Sequence, residues 1–313
     1  MENKLEKALC EESKFFDEII QTRITNQTIP FEADFRRATK YIPKGKSNKE
    51  IIDPILTNIV QGKIIRKIIE RIILNGGSVL DICCGPGGLS LEIARNGLKT
   101  HGYDISESAI LIAKKMAEEN PYKENFIEPK YICQDVNMIK FENNTYSTIV
   151  GNSAFHHIYE LETFLEKCNN SLTENGLMIT WDDIGHGRLD MFFYFVFSGI
   201  LPNFRMTYKE KIQKVINVAL RKKVMQNEIF SPMEIWADKH GSASEVIKKF
   251  WTKKLKPEKI IYFSAFVVPV CNNVKGPDWF RYIIARILTR LDALFIKLGI
   301  CQGFYRIIIS TKR

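Results

Sequence analysis

The chain has 313 residues, of which 45% are apolar and 26% are charged. This composition is ordinary for a globular protein, and it excludes a chain that is disordered, collagen-like or coiled-coil along its length. Its 45 Lys and Arg outnumber its 36 Asp and Glu, which gives a net charge of +9. A positive balance favours an anionic substrate, RNA or an anionic membrane surface as a partner, without selecting one of them.

Cysteine usage and the first residues bear on the compartment. The seven cysteines, an odd number, include no C-x-x-C pair and have no histidine at the spacing of a zinc site. The start of the chain, Met1–Lys7, lacks the apolar stretch of a secretory signal. The longest apolar run, Met191–Leu201, has about half of the roughly 20 residues that a membrane-spanning helix needs. We therefore expect a cytoplasmic protein in a reduced compartment, with no structural metal.

The N-terminal part is predicted to be helical but interrupted. Residues 1–60 form a predicted helical cap in which Pro30, Pro43 and Pro54 end any long helix. Apolar residues then recur at helical spacing over Ile64–Leu74, and the Asn-Gly-Gly that follows predicts the end of that helix.

Residues 61–184 contain short strand-like runs that alternate with helical stretches. The five predicted strands are Ser78–Cys83, Thr100–Asp104, Lys130–Gln134, Ser147–Gly151 and Gly176–Trp181. The crossover helices between them are predicted at Leu89–Gly97, Glu107–Asn120 and Leu161–Leu172. This alternation predicts a Rossmann-like, doubly wound α/β fold with a mostly parallel sheet, whose ligands bind at the carboxyl ends of the strands.

Beyond residue 184 the alternation stops. Residues 185–258 are predicted to form a helical lid on the side of the sheet where a substrate, called the acceptor below, would bind. The predicted helices of this lid are Met191–Leu201, Lys209–Lys222 and Ser244–Thr252. Residues 259–313 are predicted to hold two late strands, Ile260–Val268 and Phe304–Thr311, with an inserted helix at Trp279–Leu298. An antiparallel hairpin of these strands closes the sheet, which gives seven strands with an antiparallel last strand.

The segment Val79–Ser90, with the sequence VLDICCGPGGLS, carries the strongest functional signal. A buried strand runs into a glycine turn and then into a helix, so that the backbone can approach a ligand closely at Gly85 and Gly87. The dinucleotide pattern G-x-G-x-x-G has Ser90 in place of its third glycine here, and the carboxylate of Asp81 would repel a pyrophosphate. An ammonium group and a sulfonium would instead be stabilised by this acid, which favours S-adenosylmethionine over NAD.

Through the motif Leu80–Gly88, the sequence resembles the class I S-adenosylmethionine-dependent methyltransferases over roughly residues 60–184. The resemblance implies that Asp81, Gly85 and Gly87 hold the methionine part of the cofactor. The neighbouring Cys83 and Pro86 are included among the expected cofactor contacts. A strand-glycine-helix turn without a ligand is the alternative at this point.

Acids also follow the next two predicted strands. Asp104, in the sequence GYDIS, is positioned for a bidentate contact with two ribose hydroxyls. The alternative role for Asp104 is that of an N-cap for the helix that follows. The resemblance implies that Asp135 contacts the adenine amino group, whereas the alternative is a turn residue. Ile105, Val136 and Asn152 complete the expected cofactor contacts.

The fourth strand ends in a tandem histidine, within the sequence VGNSAFHHI. The Asn/Asp-Pro-Pro-aromatic motif of DNA and other amino-nitrogen methyltransferases is absent, so DNA is not an expected partner. The loop instead resembles those of small-molecule methyltransferases of the ubiquinone-biosynthesis type. Either His156 or His157 is a candidate base for a hydroxyl proton, and the alternative is that both only shape the pocket.

Polar residues follow the fifth strand, in the sequence TWDDIGHGR. This segment resembles a bacterial methyltransferase subgroup often found beside polysaccharide and natural-product genes. Looser matches to that subgroup are Phe15–Asp17, Ser231–Glu234 and Gly303–Arg306. We expect Asp183, His186 and Arg188 to face the acceptor, and the alternative is a solvated loop.

Together these features predict a methyltransferase that uses S-adenosylmethionine to methylate a small molecule, most simply at a hydroxyl oxygen of a sugar, natural product or quinone-like metabolite. The alternatives are an RNA methyltransferase, which the absence of a basic cluster with aromatic residues disfavours, and a cofactor-binding but inactive partner protein. The basic amphipathic helix at residues 279–298 either packs on the domain or also contacts an anionic membrane. Cys83 and Cys84 are expected to be packing residues.

Overall fold

A computed structural model describes residues 2–25, 53–204, 206–219 and 255–312. One seven-stranded sheet organises these residues. Its strands are β1 Ser78–Ile82, β2 Lys99–Asp104, β3 Lys130–Cys133, β4 Tyr146–Asn152, β5 Leu172–Asp183, β6 Leu255–Phe263 and β7 Tyr305–Lys312. Their order is β3-β2-β1-β4-β5-β7-β6, and β7 runs antiparallel to both of its neighbours. The mostly parallel sheet with an antiparallel last strand is thus confirmed.

Helices cover both faces of the sheet. The described α-helices are α1 Glu2–Thr25, α2 Pro54–Val60, α3 Gly62–Asn75, α4 Gly88–Ala94, α5 Glu107–Glu118, α6 Leu161–Ser171, α7 Arg188–Ile200, α8 Tyr208–Ala219, α9 Val267–Cys271 and α10 Asp278–Lys297. Ile68 and Ile72 of α3 pack on one face, and Phe164 and Leu165 of α6 pack on the other. Strand β4 is buried along nearly all of its length, as expected for a central strand covered on both sides.

The topology places the ends of the parallel strands at one edge of the sheet. Strand β1 pairs with β2 on one side and with β4 on the other, so the chain changes direction of winding between β1 and β4. Ligands of doubly wound sheets bind in the crevice at such a switch point. The predicted cofactor motifs all follow strands β1 to β4.

Two predicted strands were wrong in their extent, and the first, Gly176–Trp181, is only the central part of the longer β5. The run Ile260–Val268 was expected to be extended throughout, but β6 ends at Phe263 and α9 begins at Val267. Ser264 has a φ of 58°, which turns the chain out of the sheet. The backbone N–H groups of Phe266 and Val267 then donate to Asp292 Oδ1 of α10, so neither group is available to a strand ladder.

The N-terminal and C-terminal parts meet through a buried ion pair. Arg281 of α10 lies 2.8 Å from Asp53, just before α2, and both side chains are about 1% exposed. Such a pair is costly to break, because the partner that remains would be a buried charge without its nearest counter-charge.

The domain boundaries expected at residues 60, 184 and 258 stay predictions.

Some predicted features lie outside the described residues. They are Pro30, Pro43, Leu220–Lys222 at the end of a predicted helix, Ser231–Glu234 and Ser244–Thr252. Within the described ranges, no helix is long and apolar enough to cross a membrane.

Candidate functional site

Two adjoining cavities open at the carboxyl ends of β1 to β4. Cavity A, of about 230 Å³, lies towards β2 and β3, and cavity B, of about 500 Å³, lies towards α3 and β5. Cys83, Gly85, Pro86 and Ser153 line both of them. The predicted cofactor-binding residues that line at least one cavity are Asp81, Cys83, Gly85, Pro86, Asp104, Ile105, Asp135, Val136 and Asn152. The structure therefore brings together nearly the whole predicted set.

Gly87 is the exception, and its role in the structure is packing. A Cβ atom at Gly87 would meet Tyr131 Oη at 2.6 Å and Ala113 Cβ at 2.8 Å, and the residue has a φ of 76°. The Tyr131 hydroxyl also donates to the Gly87 carbonyl at 3.2 Å. At Gly85, with a φ of 53°, a Cβ atom would have nothing within 4 Å. The open side of the turn is therefore at Gly85, which faces the cavities.

Asp81 is a buried acid at the floor of cavity B. Its carboxylate accepts a hydrogen bond from the Ser90 hydroxyl, the group that stands where a dinucleotide motif would have glycine. Burial raises the pKa of Asp81 to about 7, although the bonds from Ser90 oppose this rise. A cationic group beside Asp81 would stabilise the carboxylate in a place where water does not.

Asp104 fixes the glycine turn to the end of β2. Its Oδ2 accepts from the backbone N–H of Gly85 at 2.7 Å, and its Oδ1 accepts from the N–H of Ser106 at 2.9 Å. The helix-cap role considered for Asp104 belongs to Ser106, whose hydroxyl accepts from Ala109 N at the start of α5. Burial raises the pKa of Asp104, and the two backbone bonds lower it.

Asp135 has one engaged oxygen and one unengaged oxygen. Its Oδ1 accepts from both the backbone N–H and the side-chain amide of Asn137, so Asp135 caps the start of the 3₁₀ turn Val136–Met138. Its Oδ2 is buried and has no hydrogen-bond partner among the described residues. Asp135 lines cavity A, so the wall of this cavity contains an acceptor oxygen with unused hydrogen-bonding capacity.

The tandem histidines lie on a single 3₁₀ turn, Phe155–His157, directly after β4. Their ring centroids are 4.1 Å apart. His157 lines cavity A, and its Nδ1 is 3.0 Å from Glu12 Oε1. His156 lines neither cavity, and its Nδ1 is 3.6 Å from Asp182 Oδ1. Each imidazole thus has a buried carboxylate beside it, and only His157 faces a cavity.

Helix α1 supplies a wall of cavity A that was not predicted from the sequence. The lining residues on α1 are Leu9, Glu12, Phe16, Ile19, Ile20 and Arg23. Asp17 fastens the helix by accepting from the Ser106 hydroxyl at 2.6 Å and from Ser108 N at 3.0 Å. The available signal was the helical spacing of these residues, which puts Glu12 on the same face as apolar neighbours.

The three residues expected to face the acceptor line neither cavity. Asp183 and Arg188 are exposed, and Arg188 is the first residue of α7. The Nδ1 of His186 is 3.0 Å from the Ala265 carbonyl oxygen, and its ring packs on Phe304. A contact of these residues with an acceptor stays a prediction.

Cys83 and Cys84, the two cysteines of the turn, are not activated as nucleophiles. Burial and the nearby acids raise the pKa of Cys83 and Cys84 well above the usual range, so both remain thiols at neutral pH. In the part of the chain that the structure describes, no three His, Cys, Asp or Glu side chains are arranged to hold a metal ion.

Comparisons with known proteins agree on one class of domain. Residues 79–176 match the family described as a methyltransferase domain. A ubiquinone biosynthesis O-methyltransferase of Coxiella burnetii is 31% identical over 127 residues, which are 40% of this chain and 49% of the relative. The mitochondrial ubiquinone biosynthesis O-methyltransferase of Bos taurus is 28% identical over 153 residues, which are 46% of this chain and 40% of the relative.

A solved structure of geranyl diphosphate methyltransferase, in complex with GPP and sinefungin, is also similar. It has 13% sequence identity and a TM-score of 0.47, over 80% of this chain and 77% of that one. The chain spans about half the length, or less, of the curated relatives above.

Proposed function

We propose that this chain, the core of which is a class I S-adenosylmethionine-dependent methyltransferase domain, transfers a methyl group to a hydroxyl oxygen of a small molecule. One observation carries the proposal: the residues predicted for the cofactor line two adjoining cavities, and the wall of one cavity holds an imidazole paired with a carboxylate. The similarity to O-methyltransferases supports oxygen as the acceptor atom. Sugars, natural products and quinone-like metabolites are the acceptor classes to test.

The residues present fit S-adenosylmethionine. The buried Asp81 suits its ammonium group, Asp104 suits the ribose hydroxyls, and the unengaged Oδ2 of Asp135 suits the adenine amino group. The open space at Gly85 leaves room for a ligand against the backbone. When bound, this cofactor supplies a methyl group carried by a sulfonium. The neutral thioether that remains after transfer is a good leaving group.

His157 is the proposed base. With a proton on Nδ1 shared with Glu12, the other ring nitrogen, Nε2, carries the lone pair that can take the proton of an acceptor hydroxyl. The carboxylate of Glu12 holds the ring in one orientation and stabilises the positive charge that the ring gains. His156 is the weaker candidate, since it lines neither cavity.

Helix α1 excludes water from the reacting groups. Phe16 packs edge-on against the His157 ring at 5.3 Å, and Ile19 and Ile20 line the same wall. A dry wall strengthens the electrostatic interactions at the site and keeps the acceptor in position. Orientation of the acceptor is therefore a contribution of α1 as well as of the sheet.

Transfer of a labelled methyl group tests the proposal. Pairs of acceptors that differ only in a hydroxyl or an amine are offered to the wild-type chain, to His157→Asn and to His156→Asn. We expect turnover of the hydroxyl member, a loss of about 100-fold in kcat for His157→Asn and a smaller loss for His156→Asn. Turnover of amines alone, or a full rate in His157→Asn, would contradict the assignment of oxygen or of the base.

A further inference from the structure

Helix α10 turns the acidic side chains that it carries to the interior or to a partner. Asp292 is buried and accepts from the N–H groups of Phe266 and Val267. Asp278, at the first position, pairs with Arg281, which in turn pairs with Asp53. The two acids of α10 therefore make contacts within the folded chain that fix this helix in place.

The outward face of α10 is apolar and basic. Ile283, Ile287, Leu294 and Leu298 recur at helical spacing and are each 46–63% exposed. The exposed cations of this face are Arg286, Arg290 and Lys297. From Ile283 to Leu298, all of which the structure describes, the exposed residues include no acid. An ordinary surface helix presents a polar face of mixed charge to water, so this pattern needs an explanation.

Helix α7 repeats the pattern beside α10. Phe193 of α7 packs on Phe295 of α10 with ring centroids 4.7 Å apart. The one acid of α7, Asp190, is buried and accepts from the N–H groups of Gly187 and Gln302. The exposed apolar residues of α7 are Leu189, Phe192, Phe195 and Ile200, and Arg188 at its start is exposed too. We call the outward faces of these two helices the α7–α10 surface.

We propose that the α7–α10 surface docks on an anionic lipid bilayer. Exposed apolar side chains gain free energy by entering the boundary between headgroups and acyl chains. The cations beside them complement anionic headgroups, and between Ile283 and Leu298 the exposed face of α10 has no acid to repel those headgroups. Trp279, 66% exposed at the start of α10, is the side-chain type that prefers this boundary. This proposal goes beyond the proposed function and does not depend on methyl transfer.

The packing of α10 is compatible with both roles considered for this helix. Its inner positions, Ala285 and Leu288, belong to the core formed with α2, α7 and α9. Because the inner face is already satisfied, the helix does not have to leave the domain to expose apolar residues. Docking therefore uses the folded chain as it is.

Flotation with vesicles tests the surface. The full chain is mixed with vesicles of phosphatidylcholine alone, or of phosphatidylcholine with phosphatidylglycerol, at low and high salt. We expect binding to the anionic vesicles only, with a loss at high salt. The variant Arg286→Glu/Arg290→Glu should bind at least about tenfold more weakly, and Ile287→Ser/Leu294→Ser should bind more weakly at unchanged charge.

The matched control makes the same change in charge elsewhere. Lys114 and Lys115 are exposed on α5, which contacts β2 and β3, whereas α10 contacts β6 at the other edge of the sheet. Lys114→Glu/Lys115→Glu should keep its vesicle binding. An equal loss in both charge variants would overturn the proposal, because net charge alone would then explain the binding.

Two further outcomes would overturn it. One is a wild-type chain that ignores anionic vesicles. The other is a wild-type dimer in sedimentation that Ile287→Ser/Leu294→Ser converts to a monomer, since a second copy would then cover the surface. Thermal unfolding with S-adenosylmethionine checks that each variant is folded. Because this measurement contains no vesicles, its result does not depend on whether the chain binds a bilayer.

Discussion

The Nδ1 atom of His157 lies 3.0 Å from the Glu12 carboxylate, which joins the N-terminal helix to the turn after β4. Glu12 is only 3% exposed, so its charge is stabilised by the groups around it rather than by water. The same contact therefore holds α1 over cavity A and orients the proposed base. This relationship leads to the first prediction.

Replacement of Glu12 by Gln should lower kcat about tenfold or more, because the amide no longer stabilises the charge that His157 gains. Glu12→Asp should restore part of the rate. Steady-state methyl transfer at saturating cofactor measures both. In a His157→Asn background, Glu12→Gln should cost little more, since the residues act as one unit.

Asp17→Asn is the matched control for the docking of α1. It weakens the contacts with Ser106 and Ser108 and leaves Glu12 beside His157. We expect it to weaken cofactor binding while kcat at saturation is kept. If Glu12→Gln and Asp17→Asn had the same effects on Kd and kcat, Glu12 would be a docking residue only.

Cofactor affinity should fall as the pH drops below about 7. The pKa of Asp81 is raised to about 7 by burial, so the carboxyl group takes up a proton below that pH. An ammonium ligand prefers the carboxylate, so binding must release the proton, and the association constant should fall by up to about tenfold per pH unit. Calorimetric titration with S-adenosylhomocysteine, repeated across about one pH unit on either side of that pKa, measures this slope.

Asp81→Asn should bind more weakly and lose most of that pH dependence. The remaining dependence then reports other groups, such as Asp104, whose pKa burial also raises. A wild-type slope in Asp81→Asn would show that another group binds the ammonium.

Asp135→Asn should change the preference for the base of the cofactor. Its carboxylate Oδ1 is engaged by Asn137, and the buried Oδ2 is left to accept from an amino group. An amide can place its NH₂ at that position, which would face the adenine amino group with a second donor. We expect about tenfold weaker binding of S-adenosylhomocysteine, whereas S-inosylhomocysteine, which has a carbonyl oxygen in place of the amino group, should gain affinity relative to S-adenosylhomocysteine. An unchanged ratio of the two affinities would remove Asp135 from the adenine site.

Alanine at the two turn glycines should separate folding from binding. Gly87→Ala places a Cβ atom 2.6 Å from Tyr131 Oη, so it should lower the melting temperature markedly. Gly85→Ala meets no atom within 4 Å and costs only the strain of its positive φ, about 1 kcal/mol. Its main effect should be on cofactor affinity. The opposite ranking of melting temperatures would mean that the open side of the turn has been misassigned.

Local patterns made the core of the fold predictable. The run from Val79 to Ile82 is apolar except for Asp81, and the glycines after it leave few alternatives to a strand followed by a turn and a helix. The same holds for Asp104 and Asp135, because a residue at a strand end is placed by the strand itself. The positions of the proposed cofactor residues around the cavities could therefore be predicted together with the sheet.

Contacts that are distant in sequence could not be predicted. Nothing near Glu12 indicates that it meets His157, and nothing in Ile260–Val268 shows that Asp292 takes its N–H groups. The segment after β5 has the polar composition of a site, yet Trp181 is the last residue of β5 that lines a cavity, and His186 packs on Phe304. Composition at a strand end is thus a weaker guide than the position of the strand end.

Thermal unfolding of the purified chain with S-adenosylmethionine, and in parallel with NAD, tests the central claim most directly. At about 100 times its dissociation constant, S-adenosylmethionine should stabilise the folded chain by about 2.7 kcal/mol, whereas NAD should leave it unchanged. No stabilisation, or stabilisation by NAD alone, would contradict the assignment of the Asp81–Gly88 turn to this cofactor.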